Sequence, residues 1–351
     1  MASKIVLIFA TAISLFIGSL AGTAPAQKSK NEEAPPPTGR MIDLGGYKLH
    51  LDCTGKGEPT VVLSIGAGGF STDWSLVQSK VAAFTRVCSY DRSGAAWSDL
   101  GPKPRTMDQE AFDLHRLLTS AGERGPYVVV GQSLGGMVVR IFAEEHPKEV
   151  VGVVLVDAYS EDAQLFTNGA MKRMRLEAKN RPIPAPRTKA TAADGLTPDE
   201  VQKIEAFVKQ YIRNPKIDPP YDKLPEYAQR VRLWALQQPK NYAQDDDYMA
   251  EISARVYAQD QAQEHPLGSV PLVVLARDKS KHDYQGPLTA SLVKEHEEQQ
   301  ARMAKLSTHG RQIVVPNSGH QIELEAPEKV VAAIREITVI GRGNGAGRHT
   351  R

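Results

Sequence analysis

The stretch Tyr127-Val128-Val129-Val130-Gly131-Gln132-Ser133-Leu134-Gly135-Gly136 decides how the rest of the chain is read. An apolar, Val-rich run leads into Gly-x-Ser-x-Gly, and a helical run, Met137–Glu145, follows it. A serine on a strand-to-helix turn must adopt a strained backbone, and only small flanking residues let the turn close. The strain exposes the hydroxyl, while the start of the helix offers backbone N–H groups to an oxyanion. Bare Gly-x-Ser-x-Gly recurs by chance; the strand before it, the helix after it and Gly136 distinguish this one from a Gly-rich turn with an incidental serine.

Further short apolar runs lie at Thr60–Ile65, Arg86–Tyr90, Val151–Val156, Leu272–Ala276 and Gln312–Val315. Their length and Val/Ile content suit strands buried on both faces of a parallel sheet. Helical patterns separate most of them. Thr106-x-x-Gln109 reads as a capping box for a helix with Ala111, Leu114, Leu117 and Leu118 on one face and Gly122 as its stop. Pro327 sits in the first turn of a last helix carrying Val330, Val331 and Ile334. Upstream, Ile42, Leu44, Tyr47, Leu49 and Leu51 alternate about Gly45-Gly46, which predicts a hairpin at the sheet edge. The fold class is therefore α/β, a mostly parallel central sheet with flanking helices, its core over residues 40–157 and 269–340. Residues 158–268 break the rhythm; too long for a bare loop, they predict an inserted helical subdomain with helices near Asp199–Ile212 and Tyr227–Leu236.

The 351 residues carry 43 Lys+Arg against 41 Asp+Glu, a net charge of +2 that is too small for a nucleic-acid stripe or a polybasic membrane patch. Two cysteines exclude a disulfide scaffold and a four-thiolate zinc site. No cofactor and no metal are expected: Asp245-Asp246-Asp247 lacks the Gly and Glu of a calcium loop and reads as a solvated acidic turn. At the amino end, Lys4, the apolar run Ile5–Leu20 and Ala24-Pro25-Ala26 form a signal peptide over 1–26, cleaved after Ala26; an uncleaved anchor helix is the alternative. Secretion or a periplasmic location follows, with no integral span in the mature chain. Residues 27–39 read as a disordered spacer and 341–351 as a flexible Gly/Arg-rich tail.

A serine hydroxyl is a poor nucleophile without a base. Of nine histidines, His115 and His296 read as solvent-facing on helices, His146 as a helix-end cation and His349 as part of the tail. His320 differs, because Asn317-Ser318-Gly319-His320 joins the last strand to the last helix at the sheet edge that carries Ser133. An acid should orient the imidazole. Asp157 and Asp278 each follow a strand and fall between Ser133 and His320, and the residues alone do not separate them. The backbone N–H of Leu134 and, from the turn Gly66-Ala67-Gly68-Gly69, that of Ala67 are the expected oxyanion donors. A dinucleotide reading of that turn fails, since Ser71 stands where the third Gly belongs.

With these residues in view, the chain resembles the α/β-hydrolase superfamily, in its serine-nucleophile, esterase-like branch. The resemblance covers about residues 41–157 and 271–338 and rests on Gly131–Gly135, Gly66–Gly69, Tyr90-Asp91-Arg92-Ser93-Gly94 and Ser318-Gly319-His320. It implies that Asp91 and Arg92 are structural and that 158–268 is the variable cap that shapes the pocket. Relatives often carry His-Gly in the oxyanion loop, where Ile65-Gly66 stands here. In the commonest version the acid follows the penultimate strand, at a position held here by Ser280, with Asp278 two residues early. Other branches place it one strand sooner, at Asp157, which is favoured, with Asp278 the alternative. The resemblance also makes the strands holding Cys53 and Cys88 neighbours, so that a disulfide or two buried thiols are the alternatives. Ser133 sets the chain apart from relatives with an aspartate nucleophile. It implies a hydrolase for an ester-like bond (carboxylic ester, lactone or thioester) of a small molecule. A non-catalytic binding protein on the same fold, or a peptidase or carbon–carbon hydrolase, is the alternative.

Overall fold

Two glycines in left-handed conformations, Gly45 at φ 83° and Gly46 at φ 110°, join β1 (Arg40–Asp43) to β2 (Lys48–Thr54). L-residues with a Cβ rarely adopt such angles, which explains the Gly-Gly pair. The computed structural model describes residues 33–103, 105–167, 170–173, 176, 195–212, 215–243, 255–256, 262–282 and 289–346. Residues 1–26, expected to be a signal peptide, the triple aspartate 245–247 and His349 lie outside these.

Beyond the hairpin, the remaining sheet strands are β3 (Thr60–Ser64), β4 (Val87–Tyr90), β5 (Tyr127–Gln132), β6 (Val150–Val156), β9 (Leu272–Arg277) and β10 (Gly310–Val315). A separate hairpin, β7 (Gln164–Thr167) with β8 (Ala170–Arg173), precedes β9 in the chain. The eight-stranded sheet runs β1-β2-β4-β3-β5-β6-β9-β10, parallel except where β2 pairs with β1 and β4. Alternate strand residues feed two apolar layers. Val62, Val129, Leu155 and Val274 face one layer with α2 (Met107–Ser120) and α3 (Gly135–Glu145). Val61, Val128, Val154 and Val273 face the other, with α1 (Ser75–Val81) and the last helix, Pro327–Ala346. Strands buried on both faces read as unbroken Val runs for this reason.

Four expectations need correcting. Thr106 caps α2 by accepting from the Gln109 amide, but the Gln109 side chain turns to Asp113 instead of closing a capping box. The segment between β6 and β9 holds α4 (Pro198–Tyr211) and α5 (Glu226–Ala235) near the expected helices, and it also contains the β7–β8 hairpin. The spacer is docked at its end, since the carbonyls of Pro35 and Pro36 accept from Trp97 Nε1 and the Tyr227 hydroxyl. The tail begins later than expected. The last helix continues to Ala346, because Gly341 brings it against β6 so closely that a Cβ would lie 2.9 Å from Val151 Cγ2. Glycine there serves helix–sheet packing.

Cys53 and Cys88 face each other across the antiparallel β2–β4 pair and are joined by a disulfide, their Cα atoms 4.0 Å apart. Among the described residues, no helix is long and apolar enough to cross a membrane.

Candidate active site

Ser133 follows β5 with φ at +50°, a left-handed value that costs a non-glycine residue energy. Its amide bonds the Val156 carbonyl at 3.1 Å, and its own carbonyl accepts from Gly136 at 3.0 Å. The tightness of the turn explains the glycines. A Cβ on Gly131 would lie 2.5 Å from the Gly135 carbonyl oxygen, and one on Gly135 would lie 2.3 Å from that of Ser64. Of the four non-glycine residues with positive φ among those described, three are Ser133, Asp157 and Asn317, so the strain gathers at this edge of the sheet.

Three of the side chains singled out from the sequence converge here. Ser133 Oγ lies 3.0 Å from His320 Nε2, and His320 Nδ1 lies 2.6 Å from Asp157 Oδ2. A carboxylate only accepts, so Nδ1 carries the hydrogen toward Asp157 and the Nε2 lone pair faces the hydroxyl. That arrangement can take a proton from Ser133 and stabilise the imidazolium that results. Burial alone would push the Asp157 carboxyl up; the Arg277 guanidinium, 3.0 Å from Oδ2, and the bonds from His296 and His320 outweigh it and hold the group well below the usual carboxylate range. Asp278 stands elsewhere. Its oxygens accept from the amides of Asn317 (3.0 Å) and Ser280 (2.9 Å), which bring its pKa down to about 2, and its own amide donates to Ser318. Asp278 is thus engaged in bracing the loop that carries His320.

His296 is not solvent-facing. It lies on α6 (Thr289–Met303), its side chain is 14% exposed, and Nε2 approaches Asp157 Oδ1 at 2.9 Å. The Glu residues beside it in sequence gave no sign of this, because the inward turn is set by how α6 packs on β9.

Leu134 follows Ser133 in the turn, and the loop that carries Ala67 meets the serine through Gly66, where a Cβ would lie 2.8 Å from Ser133 Cβ. Among the described residues, neither the Leu134 nor the Ala67 amide has a hydrogen-bond partner. Two side chains fix the loop carrying Ala67. Gln132 accepts from the Gly66 amide at 3.0 Å and donates to the His320 carbonyl at 3.3 Å, tying both loops to the nucleophile strand. Arg92 donates to the Ile65 and Gly66 carbonyls at 2.5 and 2.7 Å and is backed by Glu110 at 3.4 Å. Gln132 was missed in sequence because it occupies the variable position of its motif.

From the inserted segment, α5 packs against this edge. Arg232 bonds Asp73 at 2.8 Å and lies 3.5 Å from the centre of the Tyr221 ring, while Trp234 packs with Phe70, just after the Gly66–Gly69 turn. Between these and His320 lies α7 (Ile322–Glu325); Glu323 on it is fully buried with Oε2 unpartnered, and burial pushes its carboxyl well above the ordinary value.

Metal-ligand chemistry gathers at two places among the described residues, and the first is His115, His146 and Glu149. The two imidazoles are stacked at 3.7 Å with planes 9° apart, so a metal at bonding distance from both cannot lie in both ring planes. The grouping of Cys53, Cys88 and Glu123 offers no thiolate, since its sulfurs are bridged.

The model of the alpha/beta hydrolase family matches residues 61–333. An AB hydrolase superfamily protein of Gibberella zeae is 25% identical over 307 residues, which span 81% of this chain and 88% of that one. The chain spans less than half of other curated relatives, including 18% of a probable transporter of Hormonema carpetanum that is 33% identical over 129 residues, 34% of this chain. Among solved structures, a thermophilic esterase of Thermogutta terrifontis superposes with a TM-score of 0.55 at 21% identity, over 83% of this chain and 92% of that one. The enol-lactonase of Burkholderia xenovorans does so with a TM-score of 0.54 at 14% identity, over 83% and 96%. At such identities the likeness is one of fold. The family model, however, runs from β3 through the serine turn and the His320 loop into the last helix, and on that span the chain belongs to the alpha/beta hydrolase family.

Proposed function

We propose that this hydrolase cleaves an ester-like bond (a carboxylic ester, lactone or thioester) of a small molecule through an acyl-enzyme. The observation that carries the reading is the continuous relay Ser133–His320–Asp157, with spans of 3.0 and 2.6 Å, beside two amides that have no partner among the described residues. Ser133 Oγ attacks the carbonyl carbon as His320 Nε2 takes the hydroxyl proton, and the carbonyl π pair moves onto oxygen. The amides of Leu134 and Ala67 stabilise that oxyanion. Its collapse expels the alcohol or thiol, which leaves with the proton from His320. Water, deprotonated by the same imidazole, then releases the acid and restores Ser133. Asp157 keeps the imidazole in the required tautomer, and Asp278 serves the loop.

Other members of the fold act on other bonds, and one solved neighbour is an epoxide hydrolase. The ester reading is preferred because residue 133 is a hydroxyl nucleophile held by a base. On this reading residues 158–268 form the cap, with α5 its wall beside the site, and give the selectivity for the substrate. Export is part of the same proposal: the 1–26 segment directs it, and the Cys53–Cys88 disulfide fits an oxidising compartment. The reading is tested with 4-nitrophenyl esters of increasing chain length. Ser133→Ala and His320→Ala should each lower kcat/KM by about 10³-fold or more. Turnover near that of the wild type in either variant would refute the assignment.

A further inference from the structure

We propose that His296 is a positioning residue for this site, holding the Asp157 carboxylate in the orientation that serves His320; the inference rests on the relay proposed above. The carboxylate of Asp157 is fully buried: Oδ1 accepts two hydrogen bonds, and Oδ2 accepts one and is ion-paired with the Arg277 guanidinium. Oδ2 takes His320 Nδ1 at 2.6 Å and is ion-paired with Arg277 Nε at 3.0 Å. Oδ1 takes the Arg277 amide at 3.1 Å and His296 Nε2 at 2.9 Å; Arg277 Nε also stands 3.3 Å from Nε2, but a carboxylate only accepts, so the Nε2 hydrogen faces Oδ1. A carboxylate offers about four lone-pair sites; the three hydrogen bonds occupy three of them, so the group cannot turn without losing a bond. Asp157 sits at φ +41°, outside the regular strand.

The choice of imidazole has a charge logic. Arg277 already balances the charge of Asp157. A permanent cation at position 296, Lys or Arg, would oppose the imidazolium that His320 becomes during the reaction, whereas an imidazole can donate a hydrogen bond without being a permanent cation. The titratable and charged groups around the pair are Arg277 from β9, His320 from the loop after β10 and Glu323 from α7. On α6 itself, Glu295 is taken up by Arg173 at 2.5 Å and Glu297 lies 3.9 Å from Lys279.

The test compares wild type with His296→Leu, which removes the donor, and His296→Gln, which keeps an amide N–H of similar reach. The readouts are the rate of fluorophosphonate labelling and kcat and KM for 4-nitrophenyl acetate across pH. His296→Leu should lower kcat and the labelling rate by roughly 10-fold, with KM within about twofold. Its acidic limb should move upward by roughly half a pH unit, because Asp157 with one donor fewer holds the His320 proton more tightly. His296→Gln should recover most of the rate. If the leucine protein misfolds, His296→Asn, whose amide is too short to reach, takes its place. Wild-type rate and an unmoved limb in the leucine or asparagine protein would overturn the proposal. So would a loss that glutamine fails to rescue with the limb unmoved, which marks a merely structural role. A folded wild type that neither labels nor turns over would instead overturn the hydrolase reading, and this inference with it.

Discussion

Asp157 and Asp278 end neighbouring parallel strands, β6 and β9, yet only Asp157 reaches His320. Asp157→Asn should lower kcat/KM by about 10³-fold or more, as expected when the tautomer of the base is lost. Asp278→Asn, measured beside it, should cost about 10-fold or less and act through the loop. Equal losses would contradict the division of roles. Glu323 gives a prediction of opposite electrostatic kind. Its folded-state pKa is raised by burial, so the folded protein holds a proton that the unfolded chain gives up above its ordinary value, and stability falls as pH rises between the two. Glu323→Gln should therefore leave the melting temperature unchanged near pH 4 and raise it at pH 7–8, by about 1–2 °C for each kcal/mol of penalty removed. A gap that does not grow with pH would count against a buried neutral acid. Ser133 and His320 were legible in the sequence because each lies in a local pattern between two recognisable elements. The choice of acid was not, since both candidates follow a strand, and His296 was invisible because only the packing of α6 turns it inward.

The elements of the core were legible because a two-sided burial pattern leaves its trace in each Val-rich run, from Thr60–Ser64 to Leu272–Arg277. Elements whose form depends on close approach were not: the Gly-rich end of the last helix reads as a tail until Val151 of β6 is seen against Gly341. The β7–β8 hairpin was hidden in a segment whose composition suggests helices. The disulfide was left open because two cysteines on neighbouring strands bridge only if they stand in register, as Cys53 and Cys88 do. It closes a sequence separation of 35 residues, which on the chain-entropy estimate contributes about 3–4 kcal/mol. The double variant Cys53→Ala, Cys88→Ala should melt well below the wild type while keeping its labelling rate at 25 °C. An unchanged melting temperature would show that the bridge adds nothing to stability.

At the scale of the molecule, the sheet carries Ser133 and Asp157 at the ends of adjacent strands, β5 and β6, and the loop after β10 brings His320 back to them. Gln132 and Arg92 tie the remaining loop to the same frame, so the parts of the site share one rigid support. The acid side of the stability curve follows from the same arrangement. Asp157 and Asp278 both have folded-state pKa values below the ordinary carboxylate value near 4, so their contribution is present above that pH and is lost as pH falls, toward about 2 for Asp278. The central claim is that Ser133 is an activated nucleophile. Its most direct test is the intact mass of the purified protein after exposure to a fluorophosphonate, with Ser133→Ala treated alongside. The account predicts one adduct, located at Ser133 and absent from the variant. A folded wild type that stays unlabelled, or a variant labelled as fast as the wild type, would contradict it.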